Sequence, residues 1–507
     1  MTTPQNLPIV PSYTCGEWWS PADKVRATEV LDASTGEVVA RVSTDGLDIA
    51  TAVEHARTVG QKSLGELTIH ERALLLEEIA TYLNGRKQEL YDLSFATGAT
   101  QRDHASDIDG GIGTMFTFSS KGRRELPNAH VIIDGAPEVL SRDGSFIGRH
   151  VHTRLDGLMV QINAFNFPMW GMLEKFAPAF IAGVPTIVKP ATPTGHVTEA
   201  CVRMMVESGK VPAGALQLVS GSARDLLDHL GMHDMVAFNG SAGTAIKLKL
   251  HPAVTERGCH FTAETDSPNA AVLGSDVTVD SPEFDAFIKA IMVEMAVKAG
   301  QKCTAIRRVV VPQAMVQPVV DALQAKISSK IVVGGPRTEG STMGPLASLD
   351  QREEVAKAVN ALVGAGGRIA FGHGSPVPHL VHGGPGRAGG GEELGGVRAV
   401  KHCMQRLAVQ GGPDHLTAIT GIWHTGAATN SVSRSDVDSG KGKHPSARAW
   451  PSWASGTSSA PSCAPSPCRR SPTSPTRPAT PSTRTPTKRP PWPTPSSRVA
   501  SPTATCC

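Results

Sequence analysis

Between residues 157 and 241, four short apolar segments, 158–162, 186–188, 216–219 and 235–238, recur with helical runs between them. A strand, a helix and a second strand in one sheet are joined by a right-handed crossover, which lays the strands parallel and the helices on the sheet faces. Repeating that unit commits the chain to the α/β class with a doubly wound parallel sheet. Ligands of such sheets bind beyond the carboxyl ends of the strands. Asn166, Lys189, Gly240 and Ser241 lie at such ends and are candidate ligand contacts. The ordinary alternatives are a turn residue before Phe-Pro for Asn166 and a solvated strand-end lysine for Lys189. No Gly-x-Gly-x-x-Gly follows the first of these strands, which by itself argues against a dinucleotide site.

The second constraint is Gly300-Gln-Lys-Cys-Thr-Ala-Ile-Arg-Arg308. Upstream, Phe287, Ile288, Ile291, Met292 and Met295 follow helical spacing, Ala299 and Gly300 break it, and residues 308–312 read as a β-branched strand. A thiol at such a junction can meet a substrate while its backbone is held, so Cys303 is the candidate nucleophile. A buried structural cysteine is the ordinary alternative. In Phe261-Thr-Ala-Glu-Thr-Asp-Ser-Pro-Asn269, Glu264 is a candidate carboxylate base.

Together with Ile162-Asn-Ala-Phe-Asn-Phe-Pro-Met-Trp170, Ile187-Val-Lys-Pro190 and Ala237-Phe-Asn-Gly-Ser241, these two stretches stand in the order used by the aldehyde dehydrogenase superfamily, which the chain resembles. Glu264 is followed by Thr-Asp-Ser-Pro rather than Leu-Gly-Gly-Lys, and His382 opens a glycine-rich run to Gly396. Both features are similar to the branch that oxidises CoA-linked semialdehydes in aerobic aromatic catabolism. Within that branch, residues 399–410 and 416–421 lean toward the bifunctional ring-opening protein of phenylacetate degradation, with a benzoyl-CoA-pathway semialdehyde dehydrogenase as the alternative. The resemblance implies a nicotinamide cofactor, NADP or NAD, bound without the glycine fingerprint. It implies Lys189 on the adenosine ribose or its 2′-phosphate, and Gly240 and Ser241 at the pyrophosphate, although the glycine expected five residues after Gly240 is replaced by Ala245. It also implies Cys303 attacking an aldehyde, Asn166 and the Cys303 backbone N–H holding the oxyanion, and Glu264 activating water. No metal is required.

The same likeness implies a cofactor domain over 1–264 with an oligomerisation arm at 128–156, and a partial catalytic domain over 265–372. The end of the dehydrogenase region would span 373–425 and a tail 426–507. The arm makes a homo-oligomer the expected assembly, and a small CoA-thioester aldehyde the expected partner. Near residue 372 a segment on the order of a hundred residues, the scale of a small domain, is missing relative to the family. The Glu-x-Phe-Gly-Pro motif it would carry, with its nicotinamide-ribose glutamate, does not occur in the chain. An inactive product that only binds nucleotide or pairs with other subunits is therefore the competing expectation.

Charge supports this division. After Asp438 there is no acidic residue but ten Lys and Arg, against a formal net charge of +3 for 507 residues, so the part before is net acidic. The basic balance belongs to the tail and does not predict nucleic-acid binding by the folded part. With 14 prolines among residues 451–507, the tail cannot bury enough apolar surface to offset ordering entropy and is expected to be disordered. Cys15, Cys201, Cys259, Cys303 and Cys403 stand far apart, which argues against a zinc site or a disulfide framework. No leader pattern or membrane-length apolar run is seen, and a reducing cytoplasm is the expected setting.

Overall fold

The computed structural model describes residues 7, 9–22, 26–266, 269–366, 389–390, 400–401 and 404–428. All of them fall in one unit of the chain; a second unit, residues 441–504, lies outside the described residues. So do the glycine-rich run from His382, apart from Gly389 and Gly390, and the tail beyond Ala428.

The apolar segments form the expected parallel strands. β1 (Ser12–Thr14) and β2 (Glu17–Trp19) make an N-terminal hairpin, and β3 (Thr28–Leu31) pairs with β4 (Val38–Val42) in a separate ribbon. β5 (Ile132–Val139) and β6 (Ile147–Arg154) form the predicted arm. The central strands are β7 (Met159–Ile162), β8 (Thr186–Lys189), β9 (Leu216–Leu218), β10 (Met235–Gly240) and β11 (His260–Thr265). Then come β12 (Ala270–Val272), β13 (Arg308–Val310), β14 (Gly389–Gly390) and β15 (Met404–Gly411). The main sheet runs β14-β11-β10-β7-β8-β9-β1-β2, parallel from β11 through β9 and closed by antiparallel strands at both ends. Strand order reverses between β7 and β10. That switch point opens a crevice at the carboxyl edge, the place where sheets of this kind take ligands.

Residues 49–65 and the helices Ile69–Ser94, Gly110–Glu125, Trp170–Ala182 and Gly195–Glu207 cover this sheet. Their shared core holds Leu76, Ile79, Leu83, Phe176 and Phe180, none of them exposed. Truncating one such leucine to alanine costs about 2–5 kcal/mol. Arg72 is buried among them because three carbonyls, those of Ile181, Leu64 and Leu67, accept its guanidinium hydrogens. The sequence predicts a break near Asn84–Lys87, yet Ile69–Ser94 is one helix of 26 residues. A glycine inside a helix costs only ~1 kcal/mol. Arg86, bonded to Tyr82 (3.1 Å) and Glu89 (2.8 Å), bridges the turns on either side of Gly85.

The arm is the expected hairpin with a register irregularity between Asp134 and Glu138. β15 pairs along all of β6, which the sequence did not predict. Beyond Glu264 the described elements build a smaller, separate core. β12 and β13 form a two-stranded parallel sheet whose core is Leu273, Phe284, Ile288, Ile291, Met295, Val319 and Leu323. Val272 and Val310 are 71% and 52% exposed, so among the described residues one side of this ribbon is uncovered. No described helix is long and apolar enough to cross a membrane.

Candidate active site

The helix Pro282–Ala296 starts where Ser281 Oγ accepts the Phe284 N–H (3.2 Å) and carries its apolar face into the small core. The chain then enters a left-handed run: Lys298 (φ +52°), Ala299 (φ +53°) and Gly300 (φ +71°). Only the glycine is free of penalty there, the other two costing roughly 1–2 kcal/mol each. The sequence placed the break at Ala299 and Gly300; the helix ends earlier, at Ala296, with Val297 extended and the left-handed run starting at Lys298. Three left-handed residues reverse the chain and deliver Cys303 to the crevice at the switch point.

There a cavity of about 1020 Å³ is walled by Asn166, Gly240, Glu264 and Cys303, with Phe165, Phe167, Trp170, Leu346 and Val355 supplying apolar surface. Four of the six predicted residues therefore meet. Lys189 and Ser241 do not reach this wall. Lys189 ends β8 beside Ile162, and burial lowers its ammonium below the ordinary lysine value.

Each of the four is held by its strand or turn. Parallel pairing of β10 with β11 sets Asn239 opposite Glu264, and Asn239 Nδ2 donates to Glu264 Oε2 at 2.8 Å. The Cys303 thiol shares the cavity wall with the same carboxylate. Burial raises the thiol well above its ordinary value, and the charge of Glu264 raises it further. At neutral pH Cys303 is thus a protonated thiol beside a carboxylate. Its carbonyl accepts Asn269 Nδ2 at 2.9 Å, and Asn166 Nδ2 donates to the Gln301 carbonyl at 2.8 Å. One hydrogen of that amide is thereby spent on the turn itself, which leaves one for a substrate oxygen.

Ser241 differs from expectation. Its hydroxyl caps the helix Ala242–Lys249, accepting from Thr244 N (3.3 Å), while Asp266 Oδ1 takes the Ala242 N–H (3.1 Å). Two N–H groups that a pyrophosphate would use are engaged within the protein, one of them by a carboxylate. The carboxyl edge fits a polar ligand better. Both side-chain atoms of buried Asn163 have no partner among the described residues. Buried polar groups are seldom left so, and a nicotinamide nucleotide lying across this edge would satisfy them.

Sequence reasoning missed several groups. Asn239 was inside a quoted motif without a role. Glu174 and Lys175, paired at 2.7 Å and buried, bring charge to the site, and Glu174 lines the cavity. A Glu-Lys pair inside the otherwise apolar helix Trp170–Ala182 was the available signal. Burial pushes the Glu294 carboxyl up and the facing Lys302 ammonium down, and Lys302 lines the same cavity. No group of side chains able to hold a metal occurs among the described residues.

Comparison with known proteins shows the family and the fold. Residues 18–384 match the family model described as "Aldehyde dehydrogenase family". The 3,4-dehydroadipyl-CoA semialdehyde dehydrogenase of Aromatoleum evansii is 43% identical over 342 residues, 67% of this chain and 66% of the relative. The chain thus spans just under two thirds of that relative's length. The 2-hydroxymuconic semialdehyde dehydrogenase of Pseudomonas sp. (strain CF600) is 26% identical, with 69% of this chain and 70% of the relative covered. Among solved structures, betaine aldehyde dehydrogenase from Staphylococcus aureus, in complex with NAD+, superposes with a TM-score of 0.68 at 17% identity, covering 79% of this chain and 96% of that one. An aldehyde dehydrogenase NAD+ complex from Bacillus cereus does so with a TM-score of 0.67 at 20% identity, covering 80% and 97%.

Proposed function

This chain belongs to the aldehyde dehydrogenase family, and from that premise we propose that it oxidises a CoA-linked semialdehyde to the acid through a thioester on Cys303. The observation that carries the proposal is Cys303 and Glu264 together on the wall of a largely apolar cavity. The Cys303 thiol gives its proton to solvent as sulfur bonds to the aldehyde carbon, so the nucleophile forms only in step with attack. The free Asn166 Nδ2 hydrogen and the Cys303 backbone N–H stabilise the resulting oxyanion. A nicotinamide, NADP or NAD, supplies the hydride acceptor when bound, with Lys189, Gly240 and the Asn163 edge as its contacts. Glu264 then takes a proton from water as its hydroxide adds to the thioester carbon, the C–S bond breaks to release the acid, and that proton passes from Glu264 to the Cys303 sulfur.

The 43% identity to a 3,4-dehydroadipyl-CoA semialdehyde dehydrogenase supports the substrate class. The stretch 399–421 favours the phenylacetate route as a second reading within that class. An inactive chain that binds nucleotide or pairs through residues 128–156 is the reading favoured by the absence of Glu-x-Phe-Gly-Pro. The test is cofactor reduction by the full chain with CoA-linked and free semialdehydes. Cys303→Ala is expected to abolish turnover while cofactor binding stays, and Glu264→Gln to reduce one cofactor per chain and stop. Turnover retained in Cys303→Ala sinks the mechanism, and no reduction in the unaltered chain sinks the enzymatic reading.

A further inference from the structure

We propose that Asp103 and Asp107 are positioning residues, a buried carboxylate clamp that holds the Cys303 turn and the Asn166 loop in one geometry through Lys298. The proposal rests on the reading of Cys303 as nucleophile. It starts from the left-handed run 298–300, a conformation that persists only where its surroundings over-determine it.

Two carboxylates do so. Asp103 Oδ1 accepts the Lys298 N–H at 2.7 Å, and its other oxygen accepts the N–H and hydroxyl of Thr100 at 2.8 and 2.9 Å. Asp107 Oδ2 stands 3.6 Å from Lys298 Nζ, with the side chains 1% and 5% exposed. Asp107 Oδ1 accepts the N–H groups of Met169 (3.2 Å) and Trp170 (2.9 Å), where the helix following Asn166-Phe-Pro begins. The Lys298 ammonium also lies 5.5 Å from the centre of the Phe167 ring, next to Asn166. One carboxylate therefore fixes the start of the helix just beyond the oxyanion amide. Its other oxygen, which has no hydrogen-bond partner among the described residues, faces the ammonium of the residue five before the nucleophile as an ion pair.

The two aspartates are four apart, and residues Ala105–Asp109 between and beyond them form a π-type turn. Such a widened turn is a frequent mark of a functional site. Neither carboxylate touches the cavity, whose wall takes Ala105, Ser106 and Gly110 from this segment. The clamp acts on geometry, by fixing where Cys303 and Asn166 stand relative to each other.

The experiment uses the full chain with Asp107→Asn, Lys298→Gln and both together. Its main readout, peptide-resolved iodoacetamide labelling, needs no turnover. In each single variant Cys303 is expected to label at least fivefold faster, because the turn relaxes away from Glu264, while Cys15 on the opposite end of the sheet labels at its original rate. The double variant is expected to match the faster single one, since partners in one network are not additive. If the unaltered chain turns over, each variant should lose at least tenfold in kcat with the cofactor KM unchanged, and Lys298→Arg should restore both readouts. Should Asp107→Asn fail to fold, Lys298→Gln decides, because it leaves every backbone hydrogen bond of the two carboxylates in place. Unchanged Cys303 labelling, or Cys303 and Cys15 accelerating in parallel, overturns the proposal. Absent turnover with the labelling pattern intact would overturn the enzymatic reading and leave the clamp standing.

Discussion

Asn239→Leu separates the two halves of the chemistry. Asn239 lies opposite Glu264 in the β10–β11 register and gives Glu264 Oε2 a hydrogen bond of 2.8 Å. A hydrogen bond to a charged group contributes about 1.5–3 kcal/mol. If the carboxylate loses that anchor, the step that needs it aimed at water slows roughly ten- to hundredfold, at one decade per 1.36 kcal/mol. The hydride step does not use Glu264 as its base. Folding should change little, because the Oδ1 of Asn239 is itself unpartnered among the described residues and leucine removes that orphan. Stopped-flow absorbance on mixing with aldehyde and cofactor is the assay. The expected trace is an undiminished first turnover followed by a steady rate ten- to hundredfold lower. An unchanged steady rate would show that Glu264 needs no anchor. Burst and steady phases falling together would show that Asn239 serves the earlier step.

Two further outcomes follow from the same geometry. The Cys303 thiol lies well above its ordinary value, chiefly through burial, so its alkylation rate should keep climbing from pH 7 to pH 9 without a plateau. In linkage terms, its contribution to stability is complete below the unfolded thiol value of ~8.5 and is lost as the pH rises toward the higher folded one; a labelling plateau near pH 7 would refute the assignment. Gly183 ends the helix Trp170–Ala182 at φ +84°, and a Cβ there would stand 3.1 Å from the Arg72 guanidinium. Gly183→Ala should lower unfolding stability by about 1–2 kcal/mol from the left-handed backbone alone, measured as a lower denaturant midpoint.

What the sequence determined is what depends on local chemistry. Period and breakers placed β7 to β10, the arm and the helix before Cys303, because a parallel strand buried on both faces must be apolar along its length. Side chains that do covalent work are also legible, since few residue types can serve, and Cys303, Glu264 and Asn166 come together in one cavity. The tertiary structure decided everything that depends on which distant groups become neighbours. Asn239 acquires a partner only when β10 and β11 pair in register, and the Ala242 N–H finds the Asp266 carboxylate only because the end of β11 lies beside that helix start. Asp107 reads locally as one more acid in a polar stretch. Its meaning comes from Lys298, 191 positions later in numbering, and from Met169 and Trp170 on a third segment. A buried charge is stable only with its partner in place, and no local pattern records where that partner will stand.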